Sequence, residues 1–455
     1  MKSIFHLALI FSCLVLALGV TPNGLASEGS SLPVMTEFEN ASSKGLTENN
    51  SSVKWSEADF GNVELIPREI LFGNPDKTRV LISSDGNWIG YMAPLDGVLN
   101  VWVAPLDNIS SARPVTNDTG RGIHYFTVAY TNRHVIYTQD TDGDENWKVY
   151  CVDLITGERK NLTPLKGVNA QVLHVSYSFP QEILVGLNDR DPEHHDLYIV
   201  NITTGKRQLI LKNENFSYIS VDNDYNPRLA GKTTPGGGEE LYYRQVNGTW
   251  EMFMNISLED DMTTGPIRFN KLGDILYIYE SRGRETAALV EINLTTGQKK
   301  ILAEDSRADI DGTLAHPIER TPQAASFTYE RRHWTILDSS IAPDLEYLET
   351  VEDGEVSVYH RTLDDRKWIV AYLVDDGPVK YYLYDRDSKV AKFLFANQAR
   401  LENLTLAKMH PVIIKSRDGL DLISYYSLPP WSDENGDSIP DSRRILGSHP
   451  NTASR

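Results

Sequence analysis

A strand, a polar turn and a second strand return along this chain at a nearly fixed interval. The first copy is 80–91 (VLISSDGNWIGY), and the turn comes back near Asn132-Arg133, Pro180-Gln181, Pro227-Arg228, Leu272-Gly273, Pro322-Gln323 and Asp364-Asp365, at spacings of about 42 to 50 residues. A second marker falls later in the unit: 149–158 (VYCVDLITGE), 197–206 (LYIVNITTGK) and 289–298 (LVEINLTTGQ) each end a strand in Thr-Gly. Gly157, Gly205 and Gly297 are 48 and 92 residues apart, one period and then two. A period in the forties built of short alternating strands predicts an all-β, seven-bladed β-propeller. A sheet of four strands cannot bury both faces alone, and stacking sheets around an axis buries them while leaving only short edges. A two-sheet sandwich array also uses alternating strands but requires no fixed period.

Residues 79–400 hold the seven units. Ahead of them, 1–26 read as an export signal: Lys2, an apolar run over 4–20, and the small-residue site Gly24-Leu25-Ala26. The run has 17 residues, just short of a comfortable bilayer span, so an uncleaved anchor is the alternative and the condition for any membrane association. Residues 27–56, rich in Ser, Glu and Asn, read as a flexible linker. The chain is therefore expected to be exported, to the cell surface or the extracellular space, with the periplasm as an alternative. A net charge of −19 argues against a nucleic-acid partner, which is bound through excess Lys and Arg. Cys13 lies in the signal, so Cys151 is left unpaired within the exported chain and reads as a small buried hydrophobe.

Asn-x-Ser/Thr acceptors are dense. Asn108, Asn117, Asn161, Asn201, Asn247, Asn255, Asn293 and Asn403 fall in the repeat or just past it, with Asn40, Asn49, Asn50 and Asn215 besides. They predict a glycosylated surface in a host that performs the reaction. The other reading is that Asn and Thr simply favour turns.

Candidate chemistry is sparse. Residues 140–146 (DTDGDEN) alternate oxygen ligands, but Glu145 and Cys151 stand where a calcium loop needs Gly and Glu, so an acidic hairpin tip is expected. The acidic loop 433–437, with Asp441 beyond, reads as a solvated surface loop. His194 and His195 are adjacent and on a strand would face opposite ways, which disfavours a shared metal. Gly236-Gly237-Gly238 lacks the Lys of a phosphate loop and is followed by Glu239-Glu240, a pair suited at most to a ligand ammonium. No cofactor motif and no metal-ligand set is assigned. The only glycines four apart, Gly86 and Gly90, flank Trp88, so no Gly-x-Ser-x-Gly elbow occurs, and His-Glu-x-x-His is absent as well.

Seven stretches together carry a resemblance: 66–75 (IPREILFGNP), 93–102 (APLDGVLNVW), 142–147 (DGDENW), 183–191 (ILVGLNDRD), 280–290 (ESRGRETAALV), 362–376 (TLDDRKWIVAYLVDD) and 411–429 (PVIIKSRDGLDLISYYSLP). In this order and spacing the chain resembles the prolyl oligopeptidase family of serine peptidases, especially its acylaminoacyl-peptidase and dipeptidyl-peptidase-like members. The resemblance implies a propeller over the mouth of an α/β-hydrolase domain, admitting peptide substrates to a Ser-Asp-His triad. It also implies that 57–78 pack on that hydrolase domain and that 401–442 begin it, leaving 443–455 as an unmatched tail. No triad position has a counterpart in these residues, so catalytic, cofactor and metal residues are all assigned as none. Only 45 residues follow His410, against about 200 for a hydrolase domain. The expectation is a propeller and hydrolase entrance that is truncated, by nature or by a frame shift, and catalytically silent as written. The alternatives are a stand-alone secreted propeller that binds a peptide or glycan, and assembly with a separately encoded hydrolase piece.

Overall fold

A computed structural model describes residues 66–428 and 448–450, the last three as backbone. The signal, the linker, the start of 57–78, the loop at 433–441 and most of the tail lie outside the described residues. Two units are distinguished, 1–73 and 74–455. In the first, Pro67 precedes a five-residue helix, Arg68–Phe72 (α1), where its fixed φ suits a helix start.

Among the described residues the second unit carries eight antiparallel sheets, and seven of them, each built from strands consecutive in the chain, are the blades of a ring. Blades 1 to 7 span 78–114, 125–161, 170–211, 218–256, 265–303, 310–336 and 355–396. The repeat thus forms the seven-bladed propeller its period predicts. Apolar side chains two residues apart share one face of a strand, as Ile183, Val185 and Leu187 do, and clusters run from blade to blade. One such cluster joins Ile136, Val149 and Cys151 of blade 2 to Ile183 and Val185 of blade 3.

Blade 6 departs from the four-stranded expectation. After its third strand, Arg331–Ile336, the chain turns into Ser339–Ile341 and the helix Ala342–Leu348 (α2). Asp338 caps the first turn by accepting from Ser340 N at 2.9 Å, and Pro343 follows at the helix start. Ile341, Leu345 and Leu348 recur at helical rather than strand spacing, and all three are buried against Trp368, Val370 and Tyr372 of blade 7.

The turn that marks the repeat has a common cause. Between the first and second strands, Gly86, Asn132, Tyr225, Gly273, Arg320 and Asp365 all take positive φ, in six of the seven blades. In blades 4 and 6 this turn lies a few residues before the Pro227 and Pro322 positions read from sequence, because those prolines already open the second strands. The Thr-Gly marker is a second shared turn. Asp153, Asn201 and Asn293 each accept, through Oδ1, from the backbone N–H groups two and three residues on, and each carbonyl accepts from the following Gly N at 2.8 Å. Blade 7 builds the same turn without glycine: Asp385 accepts from Asp387 N and Ser388 N, and Lys389 takes φ 53°. A Cβ on Gly297 would meet no atom within 4 Å, so the Gly297→Ala change isolates the backbone term. It is expected to lower stability by about 1 kcal/mol in urea melts, through the left-handed φ alone.

Among the described residues no sheet mixes strands from the two ends of the ring. Blade 1 meets blade 7 side by side through Val80, Ile82, Ile89 and Tyr91 against Ile369, Ala371, Tyr381 and Phe395. Backbone bonds from Leu363 N to Ser84 O (2.9 Å) and from Asp76 N to Asn397 O (2.7 Å) fix the register of that seam.

Candidate functional site

First-to-second strand turns lie on one face of the ring and second-to-third hairpins on the other. The hairpin face carries a two-stranded extension, Met409–Lys415 with Asp421–Ser427, to which the backbone of Ser448–Pro450 adds a third strand. Arg331 at the blade 6 hairpin binds both Asp375 of blade 7, at 3.0 Å, and Met409 O, at 2.5 Å. Asp375 also accepts from Met409 N at 2.8 Å, and Tyr425 donates to Glu330 O at 2.6 Å. Burial alone would raise the Asp375 carboxyl, but Met409 N and Arg331 bring it below the ordinary range, so it is charged at neutral pH. A hollow of about 340 Å³ lies beside this latch, lined by Arg332, Trp334, Asp353, Glu355 and Lys408 among others.

Four other motifs singled out from sequence, 140–146, His194-His195, 236–238 and Glu239-Glu240, lie at second-to-third hairpins on the same face without converging. Glu239 accepts from Tyr218 at 3.1 Å and Glu240 from Tyr242 at 2.7 Å, on opposite sides of their strand. Burial pushes Glu239 up to about 7, with Tyr218 opposing and Asp261 adding to the rise. The two carboxylates therefore do not share one ammonium site. His195 sits 3.3 Å from Asn169 Oδ1 and is lowered by burial, while His194 turns toward Asp191 at 3.4 Å; they share no site either. In 234–238 the N–H groups of Gly237 and Gly238 bond back to Thr234, so the glycine turn has spent the donors a phosphate would need. The acidic tip folds on itself: Asp144 accepts from Thr141 N and Asn146 N, and Asp140 pairs with Arg121 at 3.1 Å. Among the described residues no three His, Cys, Asp or Glu side chains are placed to hold a metal. Cys151 is buried and pushed up to about 12 by that burial, which leaves an inert thiol.

Of the glycosylation acceptors, Asn108, Asn117, Asn247, Asn255 and Asn403 are exposed and Asn161, Asn201 and Asn293 half-buried. Asn201 and Asn293 use Oδ1 in the shared turn.

Thr131 Oγ1 lies 2.9 Å from His134 Nδ1 within its own turn, and among the described residues no serine hydroxyl bonds a histidine. The face holds polar groups and a docked extension, and among the described residues no serine–histidine pair is formed on it. The latch of Arg331, Asp375 and Met409 was not found from sequence. Its signal is the pair of hairpin tips, 329–331 and 373–376, that a blade assignment places side by side.

No family model matches the chain. A dipeptidyl aminopeptidase BIII of Pseudoxanthomonas mexicana is 45% identical over 384 residues, covering 84% of this chain and 56% of that protein. A dipeptidyl peptidase family member 6 of Caenorhabditis elegans is 30% identical over 402 residues, covering 84% of this chain and 54% of its own. The chain belongs to the prolyl oligopeptidase family. It corresponds to the propeller part and spans about half the length of the curated relatives it matches. A solved prolyl endopeptidase shares the fold at a TM-score of 0.55 and 10% identity, over 79% of this chain and 55% of that one.

Proposed function

We propose that this ring is the gating part of an exported peptidase, lying over a hydrolase domain and admitting peptides to it. The observation that carries the reading is the docked extension 409–427. It is fastened by the Arg331–Asp375 latch to one face, in the place where the family resemblance puts the first strands of a hydrolase domain. The similarity to two proteins named as dipeptidyl peptidases supports peptides as the substrate class. Since the residues given contain no nucleophile elbow, we propose further that they do not hydrolyse peptides by themselves. Export rests on the apolar run at 4–20 and glycosylation on the sequons above.

A serine-directed phosphonate is expected to leave this chain unlabelled, and stoichiometric labelling would overturn its proposed silence. Gating is tested by joining this propeller to the hydrolase half of the Pseudoxanthomonas relative. The chimera is expected to cleave dipeptide reporters while sparing folded proteins. Equal rates on reporter and folded protein would refute the gate.

A further inference from the structure

The opposite, turn face of the ring holds a cavity that gating leaves unexplained. It has a volume of about 190 Å³ and lies where the inner strands of blades 3, 4 and 5 meet the blade 6 turn. His174, Ile219, Val221, Arg268 and Arg320 are among its lining residues. The apolar members are ordinary for a propeller axis. The cations are not, in a chain of net charge −19.

Arg268 is the penultimate residue of the first strand of blade 5, at a bulge between Pro266 and Arg268. Its guanidinium makes no hydrogen bond or ion pair among the described residues, and its Nε is sealed from solvent without a partner. Nε2 of His174, on the same cavity, is likewise buried and unpartnered. Arg320 is held at φ 62°, a backbone conformation few arginines adopt, and is anchored by Nε to Phe269 O (3.3 Å) and Nη1 to Asn223 Oδ1 (3.2 Å). That leaves its Nη2 free among the described residues. Asp222, whose field reaches Arg320 and His174, is itself bound by Arg228 at 2.9 Å and by Asn226. The cavity is therefore net positive.

Burial, then the Arg320 charge, push Arg268 down to about 10, so it remains a cation at neutral pH. Burial, then Arg320, push His174 down to about 4, so it is a neutral ring able to present an N–H. A half-buried cation whose Nε is sealed from solvent without a partner is costly to keep, and two unpartnered polar side chains on one cavity mark a place where a ligand supplies what the fold does not.

We propose that this axial cavity is an oxyanion site, in which Arg268, Arg320 and the His174 ring hold a single carboxylate or phosphate group. A volume of about 190 Å³ has room for a group of that size. Guanidinium forks suit both oxyanions, so the shared chemistry is the prediction and the source is for the test to separate. The inference does not rest on the peptidase reading, because it concerns the face away from the docked extension.

The experiment is calorimetric titration of the whole chain with inorganic phosphate, N-acetylglycine and N-acetylglycinamide, at constant chloride and ionic strength. Phosphate or N-acetylglycine is expected to bind saturably while the amide does not; whichever binds identifies the source. Arg268→Gln and Arg320→Gln are each expected to weaken that binding at least about tenfold, the loss of a charge-assisted hydrogen bond. Without ligand, Arg268→Gln is expected to melt at or above the parent temperature, since it removes an uncompensated charge. The site is refuted if neither oxyanion saturates, if the amide binds as well as the acid, if Arg268→Gln binds undiminished, or if ligand-free Arg268→Gln melts lower than the parent.

Discussion

Asp344→Ala is expected to destabilise the propeller by about 3–5 kcal/mol, the usual cost of removing one member of a buried charge network. Asp344 has no exposed surface, yet it sits in α2, in place of the fourth strand that blade 6 lacks. It accepts from Tyr384 at 2.6 Å and from Arg386 Nε at 3.0 Å and Nη2 at 2.9 Å, and it is bound by Lys389. Arg386 goes on to Asp365 at 2.7 Å, and Asp365 to Arg361 at 2.8 Å, so one carboxylate ties the helix to blade 7. Without it, Lys389 and half of the Arg386 fork lose their partner beside a buried apolar cluster. Asp344→Asn keeps the shape and removes the charge, and it is expected to recover only part of the loss. The pH dependence follows from the same contacts. Burial would raise the Asp344 carboxyl, but Lys389, Tyr384 and Arg386 outweigh it and hold the folded value below the ordinary one. A depressed folded value means the contribution is complete above the unfolded value near 4 and is lost as pH falls through the folded one. Urea melts of parent and Asp344→Asn should therefore converge below about pH 4. A constant gap from pH 7 down to 3 would show that the charge is not what matters.

The repeat was legible because its turns obey local rules. A backbone at positive φ wants Gly or Asn, and an Asp or Asn three residues before Thr-Gly caps its own turn, so Gly86, Asn132, Gly273 and the three Thr-Gly pairs stand out in the sequence. The same turn in blade 7 was harder to see because Lys389 takes the glycine's place. Blade 6 departs from the four-stranded pattern for a different reason. A period says how many units there are, not whether each is complete, and the helical spacing of Ile341, Leu345 and Leu348 competes with the strand expected there. The polar sites were least legible. Glu239 and Glu240 look like a pair in sequence, but strand alternation sends them to different tyrosines. Arg268, His174 and Arg320 lie far apart in the chain, and only the wrapping of the blades into a ring brings them to one cavity.

That closure is also where the ring should be weakest. The sheet faces pack on neighbouring blades, with a few bonds such as Arg320 to Asn223 crossing the axis, so stability is close to a sum of blade and interface terms, and six of the seven interfaces are additionally held by chain connectivity. The seventh, between blades 7 and 1, is not, and Phe395 is a principal part of its packing. Its ring lies 5.4 Å from Tyr91 of blade 1 and 5.7 Å from Tyr381 of blade 7, under Lys77 at 5.1 Å. Phe395→Ala is expected to cost about 3–5 kcal/mol. Phe126→Ala, at the covalently joined interface of blades 1 and 2, removes a ring of the same size from a fully buried site and should cost a similar amount. The two differ in where the structure opens. In Phe395→Ala, amide exchange should accelerate first along Thr78–Ile82 and Lys367–Leu373, the strands flanking the seam, while Tyr218–Val221 across the ring keeps its protection. Phe126→Ala should show no such preference for the seam. Identical exchange patterns in the two variants, or a cost for Phe395→Ala below about 1 kcal/mol, would mean the ring is not held shut by side-chain packing at this interface.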